Sequence, residues 1–472
     1  MGTHMIKHLG RVSVIALLFG IEFVVPAKGA GSATSSGVPV PTRAITHVMV
    51  IDFENQGEGA LFGSANSPSY LTRKLEPMGT LISNYFAIGH SSLDNYIAQV
   101  SGQAPTVQTS NDCITNTASG IGAFDNLVPG ALAVNQALYP GQVVGNGCVY
   151  PASVMTIGNQ LDHIPHPGLT LTWREYAEDM GNVPSRDGGR RDPLGGTDCA
   201  HPSQTNGVGI DQTNVAVGPL GQGSTYSAKS DQYVNRHNPF IYFDSVILHP
   251  SYCATHVVPL GGIVRTSRGV RFVGHLATDL SRTSTTPEFS FVSPNVCNDG
   301  HDSPCVGPDA SGKASGGLNG INDWLTMWMP LILNSPAYRN GSMLVMITSD
   351  EGASTDFSAG DGERPGPNNP QPGHSFSVRV AAKTDVANSS IGRTAVSELG
   401  GGRVGALILA PRWVKGGKVD RVGSYNHYSA LRTFEDLLGI RVGGADGRGH
   451  LGFAATSHDF STGIFSSKPL AN

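Results

Sequence analysis

The stretch ITHVMVIDFENQGEG, residues 45–59, decides the fold. Ile45 to Phe53 make a nearly continuous apolar run that stops at the polar segment ENQGEG. An amphipathic antiparallel strand would alternate, whereas an unbroken run reads as a strand buried on both faces of a parallel sheet. In such a sheet the polar residues just after the strand lie at its carboxyl end, where ligands collect.

Working outward, SPSYLTRKLEPMG is expected to be a helix closed by Gly79, and TLISNYFAI a second strand, giving βαβ order. The same grammar returns late in the chain. INDWLTMWMPLILNS has helical apolar spacing, GSMLVMIT is a buried strand running into SDEG, GRVGALILAP is another strand, and NHYSALRTFEDLLGI another helix. Alternating strands and helices with polar strand ends argue for a doubly wound α/β sheet. Residues 104–235 are rich in Gly, Asn, Thr and Ser, with periodic segments only at GLTLTWREYAEDM and DQYVNRHNPFIYFDSV, and read as long elaborated loops. The Gly/Pro stretch 352–375, which contains His374, reads as a rim or lid.

The chain opens with MGTHM, read as a tag scar, then basic KHLGR, apolar VSVIALLFGIEFVV and small PAKGAGSA. That order is expected of a secretory signal peptide cleaved near Ala27 to Ala33, because the apolar run, interrupted by Glu22, is short for a membrane span. The expected organisation is therefore a scar and signal over 1–33, a flexible leader over 34–44 and a single domain over 45–472, secreted or periplasmic and without stable membrane insertion after cleavage. Export suits the six cysteines, whose simplest pairing is sequential: Cys113 with Cys148, Cys199 with Cys253, Cys297 with Cys305. The balance of 31 Lys+Arg against 36 Asp+Glu, net -5, has no long run of either sign, so nothing points to a nucleic-acid partner. The oligomeric state is not legible.

Several strand ends carry chemistry: Glu54 and Asn55; His90, Ser91 and Ser92; Asp299, His301 and Asp302; Asp350 and Glu351. Each alone has a plainer reading, as a solvated strand terminus, a helix cap or a turn. Together they bring several carboxylates to neighbouring strand ends, and such a group repels unless something neutralises it. A divalent cation is the simplest neutraliser, and an oxygen-rich set with an occasional imidazole suits Mg, Mn, Ca or Zn. Ser92 at the first turn of a helix lies where an anionic phosphate is welcome, and a nearby metal would lower its hydroxyl pKa. Acyl transfer would want G-x-S-x-G around the serine, but the context is GHSSLDN. His427 could equally cap an amphipathic helix, and His237 could be a hydrogen-bonded core residue.

The set HVMVIDFENQ, HSSLDNYIAQVSGQ, FVSPNVCNDGHD, MLVMITSDEG and YNHYSALRTFEDLLGI, in that order, resembles the secreted acid phosphatase and phospholipase C phosphoesterase family of the alkaline phosphatase superfamily. WREYAEDM and YVNRHNPFIYF add to the resemblance, which runs from about residue 45 to 441. It implies an alkaline-phosphatase-like, mostly parallel sheet with long disulfide-held loops. It implies Ser92 as nucleophile, with His301, His427 and His237 as catalytic histidines. Asn55, Asn95 and His90 would meet the substrate, and Glu54, Asn55, Asp350, Glu351, Asp299 and Asp302 would serve the metal. Ser91 stands where relatives carry the proline of H-P-S. Asp350-Glu351 stands where two-zinc members carry Asp-His, implying a single metal or one harder than zinc. The expected function is an exported metal-dependent phosphomonoesterase acting at mildly acidic pH on small phosphate esters. The alternatives are a phospholipase C acting on phospholipid head groups and, more distantly, a non-catalytic phosphate-binding or adhesion protein.

Overall fold

The structure, a computed structural model, describes residues 40–63, 65–106, 108–113, 124, 126–129, 140–143, 145–181, 189–201, 232–305, 315–361, 400–460 and 463–470. The expected tag scar and signal peptide, the leader up to residue 39, and His374 with most of its loop lie outside these residues. Residues 40–44, expected in the flexible leader, pack on the fold: Val40 is buried and the Arg43 N–H donates to Leu437 O at 2.8 Å.

Eight strands form the central sheet: β1 (His47–Phe53), β2 (Thr80–Ile82), β3 (Trp173–Ala177), β4 (Val257–Pro259), β5 (Phe289–Ser293), β6 (Met343–Ser349), β7 (Ala406–Leu409) and β8 (Lys418–Asp420). Their order across the sheet is β8-β2-β7-β6-β1-β5-β3-β4, and only β7 runs against the rest. β1 is buried along its whole length between parallel neighbours β5 and β6, as its unbroken apolar run requires. Its side chains alternate between two cores. Val48 and Val50 join α1 (Ser92–Ser101) and α3 (His427–Leu437) on one face, and Met49, Ile51 and Phe53 join α2 (Gly317–Leu333) on the other. Burying both faces under helices makes the fold doubly wound.

Register positions the site. Phe53 pairs with Ser349, so Glu54 and Asp350 leave adjacent strands at one level, and Ile51 pairs with Val292, which brings the end of β5 beside them.

Local expectations need four corrections. β2 is separated from β1 by β6 and β7, so these two strands are not a simple βαβ pair. SPSYLTRKLEPMG is no regular α-helix but a π-type turn over Leu71–Leu75 followed by a 3₁₀ turn over Glu76–Met78. Pro77 cannot donate a helical hydrogen bond, and Gly79 ends the segment because of space, not handedness: a Cβ there would lie 2.4 Å from Ile408 O. TLISNYFAI breaks after Ile82, and Tyr85–Phe86 pairs instead with Tyr425–Asn426. The 104–235 region is more than loops, since Trp173–Ala177 is the fully sheet-bound β3 between β5 and β4. The six cysteines pair sequentially, as expected. Among the described residues, no helix is long and apolar enough to cross a membrane.

Candidate active site

Beyond Phe53 the chain turns sharply. Glu54 is fully buried, its N–H donates to Asp299 O at 2.8 Å, and Asn55 takes a left-handed φ of 56° so that its own N–H reaches Asp350 Oδ1 at 3.0 Å. Asp350 answers by donating its N–H to Phe53 O at 2.9 Å. The two strand ends are thus laced together before any ligand is considered.

α1 begins at Ser92, and its N-cap residue, Ser91, makes no side-chain capping hydrogen bond. The Ser92 hydroxyl donates instead to Glu54 Oε2 at 2.8 Å, and the Tyr96 hydroxyl, one turn on, donates to Oε1 at 2.5 Å. The preceding residue, Ser91, holds φ 99°, a costly conformation for a side-chain-bearing residue and one that clusters at functional sites. Asn95 spends its whole amide on the backbone: Oδ1 accepts from Ile88 and Gly89 N–H, and Nδ2 donates to Gly89 O and Ser91 O. It therefore clamps the turn that presents Ser92, where the resemblance implied contact with substrate.

His237 enters from the 3₁₀ turn Asn235–His237 and lies between two carboxylates, with Nε2 3.3 Å from Glu54 Oε1 and Nδ1 3.2 Å from Asp299 Oδ2. Its ring stacks on Tyr96 at a centroid distance of 5.3 Å. Glu54, His237 and Asp299 offer donor atoms that all lie within 4.8 Å of one another. Asp299 Oδ2, Asp350 Oδ2 and Asn55 Oδ1 are buried and accept no hydrogen bond. Burial, reinforced by Asp350 and Asp299, drives the Glu54 carboxyl well above its usual range. Burial, with Glu351 next, pushes Asp350 up to about 7. Burial and then Arg236 hold His237 well below the ordinary imidazole value, so it is neutral, as a metal ligand must be. Orphaned acceptors, mutually repelling carboxyls and an imidazole fit a divalent cation held by Glu54, Asp299 and His237.

Other expected residues fall elsewhere around this centre. Glu351 pairs with His90 Nδ1 and accepts the Ser91 N–H at 3.2 Å, while His90 Nε2 donates to Asp356 O at 2.6 Å, so this pair braces the turn from behind. His427 is fully buried: Nε2 donates to Asp350 O at 2.7 Å and Nδ1 faces the Tyr85 hydroxyl at 2.9 Å. Both nitrogens are thus engaged, His427 supports Asp350 through its carbonyl, and burial pushes the imidazole down to about 4. Asp302 is turned to His301, with Oδ1 2.8 Å from Nδ1, and His301 keeps 31% of its side chain exposed at the rim.

Sequence reasoning missed Arg236, Tyr96 and Asp52. The Arg236 guanidinium lies 3.5 Å from His301 Nε2 and is nearly buried; burial works against its charge, but the carboxylates of Asp112, Glu54, Asp299 and Asp302 outweigh that and keep it protonated. Its place directly before His237 was the available signal, as the i+4 spacing from Ser92 was for Tyr96. Asp52 accepts from Gln99 Nε2 at 2.5 Å beneath the site, tying β1 to α1.

No family model matches the chain. In sequence it is 24% identical over 279 residues to the phosphate-repressible acid phosphatase of Penicillium chrysogenum, a match covering 59% of this chain and 42% of that protein, so less than half of the relative's length is spanned. Similar solved structures include an alkaline phosphatase superfamily protein from Vibrio parahaemolyticus, at 13% identity and TM-score 0.39, covering 92% of this chain and 73% of that one. They also include the PsFucS1 sulfatase from Pseudoalteromonas sp., at 12% identity and TM-score 0.37 with 89% and 73% coverage. A mutant of the alkaline phosphatase PafA stands at 11% identity and TM-score 0.37 with 90% and 99% coverage. In sequence, over part of its length, the chain is thus similar to an acid phosphatase, and its structural neighbours include an alkaline phosphatase superfamily protein, a sulfatase and an alkaline phosphatase.

Proposed function

We propose that this chain is an exported, metal-dependent phosphomonoesterase that works through a phosphoserine at Ser92. The observation that carries the reading is the 2.8 Å hydrogen bond from Ser92 Oγ to a fully buried Glu54 at the first turn of α1. That bond gives the serine proton an acceptor, while the helix N-terminus faces the incoming phosphate. The similarity to an acid phosphatase supports the substrate class, and three disulfides support an oxidising compartment.

In this reading Ser92 Oγ attacks phosphorus in line, its proton passes to Glu54 Oε2, and the bond from phosphorus to the ester oxygen breaks. The departing oxygen takes a proton at the exposed rim, where His301 is oriented by Asp302. Water then attacks the phosphoserine and gives up a proton to His301, the Oγ–P bond breaks, and Glu54 returns the proton to the serine. Arg236 faces the equatorial oxygens, and its charge favours a doubly charged monoester over a singly charged diester. Glu54, Asp299 and His237 would hold a divalent cation, which would supply positive charge to offset that of the phosphoryl group and lower the pKa of a nearby hydroxyl.

The test is a substrate panel of p-nitrophenyl phosphate, inositol phosphates and phosphatidylcholine, run before and after chelation and with S92A. We expect monoester turnover that is lost on chelation, restored by a divalent metal, and reduced more than about a thousandfold by S92A. Turnover surviving both treatments sinks the mechanism, and activity confined to phosphatidylcholine moves the assignment to a phospholipase C.

A further inference from the structure

A second group of metal-ligating side chains lies away from Ser92, at the β4 edge of the sheet. Asp192 is 2% exposed in a turn closed by its N–H to Gly196 O and by Gly195 N–H to its own carbonyl. Asp198, 6% exposed, belongs to the short strand Thr197–Asp198, and Cys199 next to it is bonded to Cys253 and donates its N–H to Val257 O of β4. His275 opens the helical turn His275–Asp279. One donor atom from each of Asp192, Asp198 and His275 lies within 4.8 Å of the others. Asp192 Oδ2 touches His275 Nε2, while Asp192 Oδ1 accepts the Leu194 N–H at 2.5 Å.

The charges do not balance. Arg174, projecting from β3 on the same side as Tyr176, donates through Nη1 to Asp279 Oδ2 at 2.6 Å, and the Tyr176 hydroxyl donates to the same oxygen at 2.7 Å. Arg174 is thereby matched by Asp279, and Arg190 on the neighbouring short strand is exposed. Asp192 and Asp198 are two buried carboxylates side by side, hydrogen-bonded to each other, with one imidazole in contact and Arg174 and Arg190, the latter across the strand pair, as the cations acting on Asp198; with Asp279 they still outnumber the arginines. Asp198 Oδ1 is buried and accepts no hydrogen bond. An orphaned carboxylate oxygen beside a second carboxylate is costly unless something positive is shared between them.

We infer that Asp192, Asp198 and His275 bind a borderline divalent cation of the zinc class, separate from the centre around Glu54. One imidazole and two carboxylates make a three-ligand set with room for water, a composition that suits zinc better than magnesium. Arg174 also donates to His275 Nδ1 at 2.9 Å, which places the imidazole proton on Nε2, toward Asp192. The cation takes that proton's place: the proton moves to Nδ1, Arg174 gives up the imidazole and keeps Asp279. The site joins the 189–199 segment to the start of the 275–279 turn, so its role is to pin an irregular segment on the sheet edge.

The experiment uses the full chain, stripped by chelation and titrated with zinc chloride, comparing wild type with D198N and H275Q. Bound zinc is counted by atomic emission after gel filtration, and thermal unfolding is followed with and without zinc. Wild type should retain one equivalent more than either variant, and zinc should raise its Tm by several degrees more than theirs. Monoester turnover should be the same in D198N as in wild type. Equal zinc uptake in wild type and D198N overturns the inference. So does wild type showing no such extra equivalent while D198N removes a loss of stability at alkaline pH, because the two carboxylates then share a proton. D198N is nearly isosteric, and its unchanged turnover certifies its fold.

Discussion

Two residues with side chains hold left-handed backbone on either side of the proposed chemistry: Asn55 with φ 56° directly after Glu54, and Ser91 with φ 99° directly before Ser92. Such conformations cost about 1–3 kcal/mol each and persist only where surrounding contacts enforce them. At Ser91 the enforcers are Glu351, which takes its N–H, and Asn95, which donates to its carbonyl. S91G should therefore fold with a Tm equal to or above that of the native chain, while S92A loses turnover. Separate pre-steady-state labelling of the two variants shows which serine carries the phosphate, and label retained in S92A would reassign the nucleophile. Y96F, which removes one hydrogen bond from Glu54, should lower kcat about tenfold with little change in KM. Glu54 and Ser92 were legible in sequence because strand ends and helix starts are marked by abrupt polarity. Asn95 and His427 looked equally chemical, and only their completed hydrogen bonds assign them to holding Ser92 and Asp350 in place.

At the scale of elements, the loop after β5 is the most consequential. It carries Asp299, His301 and Asp302 and is closed by Cys297–Cys305, eight residues apart. Replacing both cysteines with alanine should cost about 2–3 kcal/mol of stability and depress turnover by more than that loss explains, since Asp299 and His301 lose their fixed positions. Urea denaturation alongside kinetics measures the two effects separately. The turn Glu76–Met78 yields a pH prediction. Burial, with Glu58 next, pushes Glu76 up to about 7, above its ordinary 4.5. A carboxyl whose folded value is raised favours the folded state while protonated, so this contribution fades as pH climbs from about 4.5 through 7. E76Q keeps a neutral side chain, so its Tm should gain on wild type across that interval and match it near pH 4. The same segment shows where sequence reading stops: its apolar spacing said helix, but Pro77 and the approach of Ile408 O to Gly79 come from composition and tertiary contact that periodicity does not register.

For the whole molecule, the sheet was legible from its buried parallel core, because unbroken apolar runs such as VMVIDF and MLVMIT have few other uses. Strand order was not, since β2, β3 and β4 are short and their neighbours are set by contacts across hundreds of residues. Collecting Glu54, Asp299, Asp350 and Asp52 in one buried centre makes the fold dependent on counter-charge. In D198N, which lacks the second site, chelation should still lower Tm at neutral pH by several degrees and by much less near pH 4.5, where protons replace the cation. A Tm insensitive to chelation at both pH values would mean that the centre is held without metal.

The pairing of Phe53 with Ser349 has a consequence for biosynthesis. Glu54, Ser92, His237, Asp299 and Asp350 come from five separate stretches, and the strand that sets Asp350 beside Glu54 is added only after most of the polypeptide has been made. A nascent chain halted before β6 has its serine but lacks the neighbour that laces Asn55 into place. On the proposed function, hydrolysis would be withheld until β6 is laid down beside β1.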